Sequence, residues 1–169
     1  QKYWKENGLA VIPLDFSGVD PWLSFMRWTH LPSAYTPLWI LLTLPAYLFG
    51  FGSVLLTLWN IKVIVAISFL VTTWLIGKIL TILDRDRAAL GMAIFAFNPL
   101  VVVETLVSAH NDMIMMALGM GAFYLYLRRR LWLSYFVWSF SVAAKLMTLF
   151  LLPMYVLRWR RTYAFAAMV

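Results

Sequence analysis

The chain has 169 residues, of which 63% are hydrophobic and 12% charged, against roughly 45–50% apolar and 25% charged in an ordinary soluble domain. A core of this size cannot hide that much apolar surface, which argues against a soluble enzyme, a disordered tail or a coiled coil and for an integral membrane protein. The net charge of +7 sits in short runs between apolar stretches, a pattern of membrane topology and contact with anionic lipids rather than of nucleic-acid binding.

Residues 1–34 are the polar part, rich in aromatic residues such as Tyr3, Trp4, Trp22 and Trp28 and punctuated by Pro13, Pro21 and Pro32. Asp20-Pro21 is a helix-start pair: the carboxylate accepts from free backbone N–H groups and Pro has none to lose. A short helix over about 21–29 puts Trp22, Phe25, Met26 and Trp28 to one side, so residues 1–34 read as an extramembrane segment lying on the bilayer surface.

Residues 35–169 read as part of a multi-pass transmembrane domain, an all-α bundle of about five to six membrane segments, some kinked or re-entrant. A span takes about 20 apolar residues. The first segment runs from Tyr35 to about Leu58, interrupted by Pro37, Pro45 and Gly50-Phe51-Gly52. The second is Ile61 to Leu83, with Lys62 and Lys78 placed to snorkel, and Asp84-Arg85-Asp86-Arg87 ends it. The third, Ala88 to Ala109, is expected to kink at Asn98-Pro99, where a backbone hydrogen bond is lost. The fourth, Met113 to Leu127, is short and precedes Arg128-Arg129-Arg130. The fifth, Leu131 to Leu157, carries a lone Lys145 near its middle, and a sixth begins at residue 162. The chain starts at Gln1 and stops inside an apolar run, so an internal fragment of a longer protein is expected.

If the basic runs all face the cytoplasm, segments three and four form a hairpin with its tip, Glu104 to Asp112, on the outer side. Segment five then returns the chain only as two half-helices meeting near Lys145, as broken helices lining a polar cavity do. The alternative is one long tilted helix with basic residues on both sides.

Ionisable groups in such sequence are costly and commonly mark a functional path. Glu104, His110, Asn111, Asp112, Lys145 and Tyr35 are the candidates. Glu104 and Ser108 share a helix face by spacing, and the tip brings His110 and Asp112 close to it. Lys145 at a broken apex is a cation for an anionic group. Plainer roles stand beside these. Asn111 or Asp112 can cap the fourth helix, Lys145 can snorkel, and the Met113, Met115, Met116, Met120 cluster can be adaptable packing. The carboxylates and His lack metal-ligand spacing and no cysteine is present, so no metal and no cofactor are expected.

The ordered set Phe97-Asn98-Pro99-Leu100, Glu104, His110-Asn111-Asp112, a small-residue-rich helix, a basic loop, Ala144-Lys145 and Leu152-Pro153 resembles the GT-C superfamily. More narrowly, it resembles bacterial polyprenol-phosphate-mannose-dependent α-1,6-mannosyltransferases. Upstream, Asp20-Pro21, Trp28 and Leu31-Pro32-Ser33-Ala34-Tyr35-Thr36-Pro37-Leu38-Trp39 are similar to the aromatic Tyr-x-Pro-Leu motif of that family. The likeness covers roughly residues 15–161. Thr36, and Ser108-Ala109 before His110, depart from it where relatives often have Gly.

The resemblance implies a multi-pass enzyme of the bacterial plasma membrane that moves a sugar, mannose by the likeness, from a polyprenyl-phosphate donor to an outer-face glycan or glycolipid acceptor. It implies that His110, Asn111 and Asp112 line the sugar or acceptor site, that Lys145 contacts lipid phosphate, and that the general base lies upstream of Gln1. It also turns the Tyr35 motif outward, which requires an odd number of crossings between Tyr35 and Asp84. A transporter or flippase for a lipid-linked or anionic solute, and a non-catalytic membrane subunit, stay open beside it.

Overall fold

The computed structural model describes residues 36–157. The surface segment 1–34, Tyr35 and the run from Arg158 onward lie outside the described residues. Among the described residues all regular structure is helical, without a strand.

Helix α1, Pro37–Leu48, opens on Pro at its first position and contains Pro45. At about 18 Å it is too short to cross a hydrocarbon core of about 30 Å. The single span expected from Tyr35 to Leu58 is therefore corrected. The chain turns over 49–53, with Phe51 at φ 47° and Gly52 at φ 78°, and Gly50 lets this turn close on Thr57: a Cβ there would overlap the Thr57 hydroxyl. Helix α2 then begins at Val54, earlier than the Ile61 expected, because the Ser53 hydroxyl caps it by accepting from the Leu56 N–H. Asn60, which falls between the first and second segments expected, lies inside α2 and donates to the Ala46 carbonyl at 3.1 Å, tying α1 to α2.

Helix α2, Val54–Leu83, has 30 residues and is long and apolar enough to cross a membrane. It is apolar all round, as spans are. Val65, Phe69, Thr72, Leu75 and Ile79 are buried, while Leu55, Trp59, Val63, Ile67, Leu70 and Trp74 form an exposed stripe. The hydroxyls of Ser68, Thr72, Thr73 and Thr81 each donate to the carbonyl four residues back, so none is left unpaired on an apolar helix. Lys78 lies over the Trp74 ring at 5.5 Å.

A single 3-10 turn, Arg85–Arg87, leads into α3, Ala88–Ala96, and α4, Pro99–Val102, which continues into a π-helical turn, Val103–Val107. The expected kink is present: the two halves meet at 53°, and together they are long and apolar enough for one bent span. The Asn98 side chain caps the second half, accepting from the N–H groups of Leu100 and Val101, while Pro99 removes the bond that would have kept the helix straight. Phe69 stacks on Phe95 at 5.8 Å, and Val65, Phe69 and Met113 bind this arm and Ala109 to α2.

Helix α5, Asp112–Leu127, and α6, Leu131–Ala144, form the closest pair. Two buried serines set their antiparallel register: Ser141 Oγ donates to the Met115 carbonyl at 2.8 Å and Ser134 Oγ to the Ala122 carbonyl at 2.6 Å. Small or hydroxyl residues at such contacts let backbones approach and pair. Gly119 lies within this seam, facing Ser141 and Thr148.

Segment five is broken, as the first of the two sequence readings required. Helix α6 ends at Ala144, Lys145 is extended, and a 3-10 stretch, Leu146–Leu151, runs into a helical piece over 152–157. This returning limb packs back on α6. The Trp138 indole N–H donates to the Thr148 carbonyl at 3.0 Å, Tyr155 stacks on Trp138 at 4.8 Å, and its hydroxyl meets Ser134 Oγ at 2.8 Å. Lys145 is thus the apex of a helical hairpin.

Of the five to six membrane segments expected, among the described residues one helix is long enough alone and two if the bent pair is one span. The others, Leu38–Leu48, Asp112–Leu127, Leu131–Ala144 and Leu146–Leu157, are shorter apolar helices.

Candidate functional site

The register of α5 and α6 decides which polar groups meet. With Ser134 opposite Ala122 and Ser141 opposite Met115, the next turn of α6 carries Lys145 to the level of Asn111 and Asp112. The Lys145 ammonium donates to Asp112 Oδ1 in a close ion pair. Both side chains remain about two-fifths exposed, 42% and 43%, so solvent screening leaves such a pair worth only about 0–1 kcal/mol. Asp112 also stands in the first turn of α5, where the helix dipole favours an anion.

Glu104 and His110 form a second pair, with His110 Nδ1 3.2 Å from Glu104 Oε2 and side chains 57% and 47% exposed. The π-helical turn produces it. The widened turn carries the His110 N–H back to the Glu104 carbonyl at 3.2 Å, whereas a regular helix would have swung the two apart. Helical turns of this width recur at functional sites. The turn closes through Ala109 at φ 55°, a left-handed conformation that suits glycine.

Asn111 stands at the N-cap of α5, but its side chain makes no capping bond, and Asp112 is engaged with Lys145. The plain capping role weighed for these two residues therefore does not describe their side chains. Tyr35 lies outside the described residues. Its neighbour Thr36 donates to the Ala144 carbonyl at 2.9 Å, which brings the start of α1 beside the Lys145 apex.

Lys62 is the site neighbour that sequence reasoning treated only as a snorkelling residue. Its ammonium donates to the Val107 carbonyl at 3.0 Å, at the end of the π-helical turn. The spacing Lys62, Val65, Phe69 was the available signal, since it puts the ammonium on the face of α2 that packs against the tip. One end of the bundle thus gathers Lys62, Glu104, His110, Asn111, Asp112 and Lys145. The runs Arg85–Arg87 and Arg128–Arg130 sit beyond the far ends of α2 and α5. Among the described residues no three His, Asp or Glu side chains gather as a metal site needs.

This arrangement offers hydrogen-bonding carboxylates, an imidazole and an ammonium on one water-accessible rim of an apolar helical bundle. Such a rim suits a polyhydroxyl substrate and an anionic group, as a glycosyltransferase needs. A family model described as alpha-(1->6)-mannopyranosyltransferase, N-terminal domain, matches residues 20–161. The chain belongs to that family and is a mannosyltransferase, which uses a sugar donor and a glycan acceptor. No curated protein and no solved structure matches it.

Proposed function

We propose that this mannosyltransferase is a multi-pass protein of the bacterial plasma membrane with the GT-C architecture, transferring mannose from a polyprenyl-phosphate donor to an outer-face glycan or glycolipid. The observation that carries this reading is the Asp112–Lys145 pair at the apex of a broken helix, half open to solvent and held by backbone register rather than by its own energy. In the transfer the C1–O bond to phosphate breaks, the acceptor oxygen bonds to C1, and its proton goes to a base. Charge grows on the departing phosphate, where an ammonium stabilises it. Lys145 takes that role, Asp112 turns to sugar hydroxyls, and Glu104, His110 and Asn111 bind sugar or acceptor, with Tyr35 at the rim. The base is assigned to none of these residues.

The topology follows the same division. The arginine runs face the cytoplasm, the rim faces outward, α2 is the one crossing between Tyr35 and Asp84, and α1 stays at the outer end. That gives the odd crossing count the reading requires. The bent α3–α4 arm, α5 and the α6 hairpin are the remaining membrane segments, in contact with membrane lipids.

The test is turnover of a labelled polyprenyl-phosphate mannose by the protein in liposomes, comparing wild type with Asp112→Ala and Lys145→Ala. Both variants are expected to fold and to lose about 100-fold in rate. Unchanged turnover in folded variants would reduce the pair to a structural contact. Passage of an intact donor across the bilayer would favour the transporter.

A further inference from the structure

Lys62 has no part in the transfer proposed above, yet its surroundings are those of a working residue. It sits in the first third of α2, on the face that continues through Val65 and Phe69. A lysine that snorkels from an apolar helix carries its ammonium out to water. Lys62 instead carries it across to the Val107 carbonyl, 3.0 Å away and 45 residues downstream. Val107 ends the π-helical turn. The last carbonyls of a helix lack an intrahelical donor and bear the negative end of its dipole, and the ammonium answers both.

The turn needs such a hold. Two conformations that chains seldom adopt follow one another there. The first is the wide turn over Val103–Val107, closed by the Ser108 N–H donating to the Val103 carbonyl at 2.9 Å; such turns are rare. The second is Ala109 at φ 55°, which a Cβ disfavours. Conformations of this kind persist where the surroundings over-determine them. The Val65, Phe69 and Met113 cluster packs against Ala109, and Lys62 holds the carbonyl two residues earlier. Were the turn to relax to a regular helix, each residue beyond it would shift by about 100° around the axis. His110 would then leave Glu104, whose Oε2 lies 3.2 Å from His110 Nδ1.

We infer that Lys62 is a positioning residue: by donating to the Val107 carbonyl it holds the π-helical turn that sets Glu104 beside His110 at the rim. Its effect on transfer passes through that pair, and so rests on the reading above in which the pair binds sugar or acceptor. Lys62 is exposed and methionine keeps the length of its stem, so Lys62→Met is expected to fold.

The test has two arms, both on the protein in nanodiscs. Hydrogen exchange, followed by mass spectrometry, reads the turn without reference to activity. In Lys62→Met the peptide over 103–110 is expected to exchange about tenfold faster, while peptides of the α5–α6 seam keep their wild-type rates; Lys62→Arg, which retains the charge and the donor, restores protection. Steady-state mannose transfer reads the consequence. Lys62→Met should raise the same KM that Glu104→Gln raises, by about tenfold, with kcat within about threefold. The double variant should be no worse than Glu104→Gln alone, since a residue acting through the pair has nothing further to lose. Losses that multiply in the double variant would mean that Lys62 touches substrate itself and overturn the inference. Unchanged exchange over 103–110 in Lys62→Met overturns it too, as does faster exchange spread equally over the seam, which would make Lys62 a general contact of the fold. A loosened turn in a protein that transfers no mannose keeps the hold of Lys62 on the turn and removes the transferase reading. Transfer that Lys62→Met leaves untouched does the reverse.

Discussion

Ser134→Ala and Tyr155→Phe, made singly and together, test the hairpin that presents Lys145. The Ser134 hydroxyl spends its proton on the Ala122 carbonyl at 2.6 Å, so Tyr155, 2.8 Å away, is the donor in their shared bond. Tyr155→Phe removes that bond but leaves Ser134 paired, a loss of about 0.5–1.5 kcal/mol. Ser134→Ala instead strands a hydroxyl on a residue that is 1% exposed, at about 1–3 kcal/mol. The double variant has neither partner left to strand, so it is expected to be no less stable than Ser134→Ala alone. That non-additivity is the signature of direct contact. Tyr155→Ala also removes the ring packed on Trp138 at 4.8 Å, Tyr135 at 5.0 Å and Tyr126 at 5.7 Å, with an expected loss of about 3–5 kcal/mol. Denaturant unfolding of the protein in micelles gives all four values. Additive singles, or a Tyr155→Ala loss below about 1 kcal/mol, would mean that the limb after Lys145 does not return along α6.

Asn98→Ala loses the cap on the bent arm and is expected to lower stability by about 1 kcal/mol in the same unfolding assay. Gly50→Ala drives a methyl into the Thr57 hydroxyl and the Tyr47 carbonyl, for a loss of about 1–3 kcal/mol that Thr57→Ala partly restores. Thr148→Val removes an unpartnered buried hydroxyl and is expected to raise stability by about 1 kcal/mol without donor; a fall of that size would reveal a hidden partner. Single cysteines report sidedness without background from this chain, which has none: Ser108→Cys should label from outside, Asp86→Cys and Arg129→Cys only from inside.

What was legible in the sequence was whatever a backbone rule dictates locally. Asn98-Pro99 announces its kink because a ring without an N–H and a capping amide act within one turn. The hairpin tip and the fourth helix followed from apolar length and the arginine runs. The start of α2 lies earlier than the Ile61 expected, because Asn60 is accommodated inside the helix by the Ala46 carbonyl, fourteen residues away along the chain. The π-helical turn that pairs Glu104 with His110 has no local sequence signature. Lys62 was taken for a snorkel because its partner, Val107, lies 45 residues downstream.

The break at Lys145 belongs to a third kind. No Gly or Pro occurs between Leu131 and Leu152, so the local sequence permits one uninterrupted helix, and a tertiary force must end it. The ion pair is too exposed to supply that force. The candidates that remain are the buried Tyr155 cluster and two part-buried hydrogen bonds, Trp138 to the Thr148 carbonyl and Thr36 to the Ala144 carbonyl. These contacts hold the apex whether or not Lys145 touches Asp112. The pair can therefore open to a substrate at little cost to the fold. Lys145→Met should then leave stability within about 1 kcal/mol of wild type while cutting turnover about 100-fold. A collapse of stability in that variant would show that the charge, and not the packing, bends the chain.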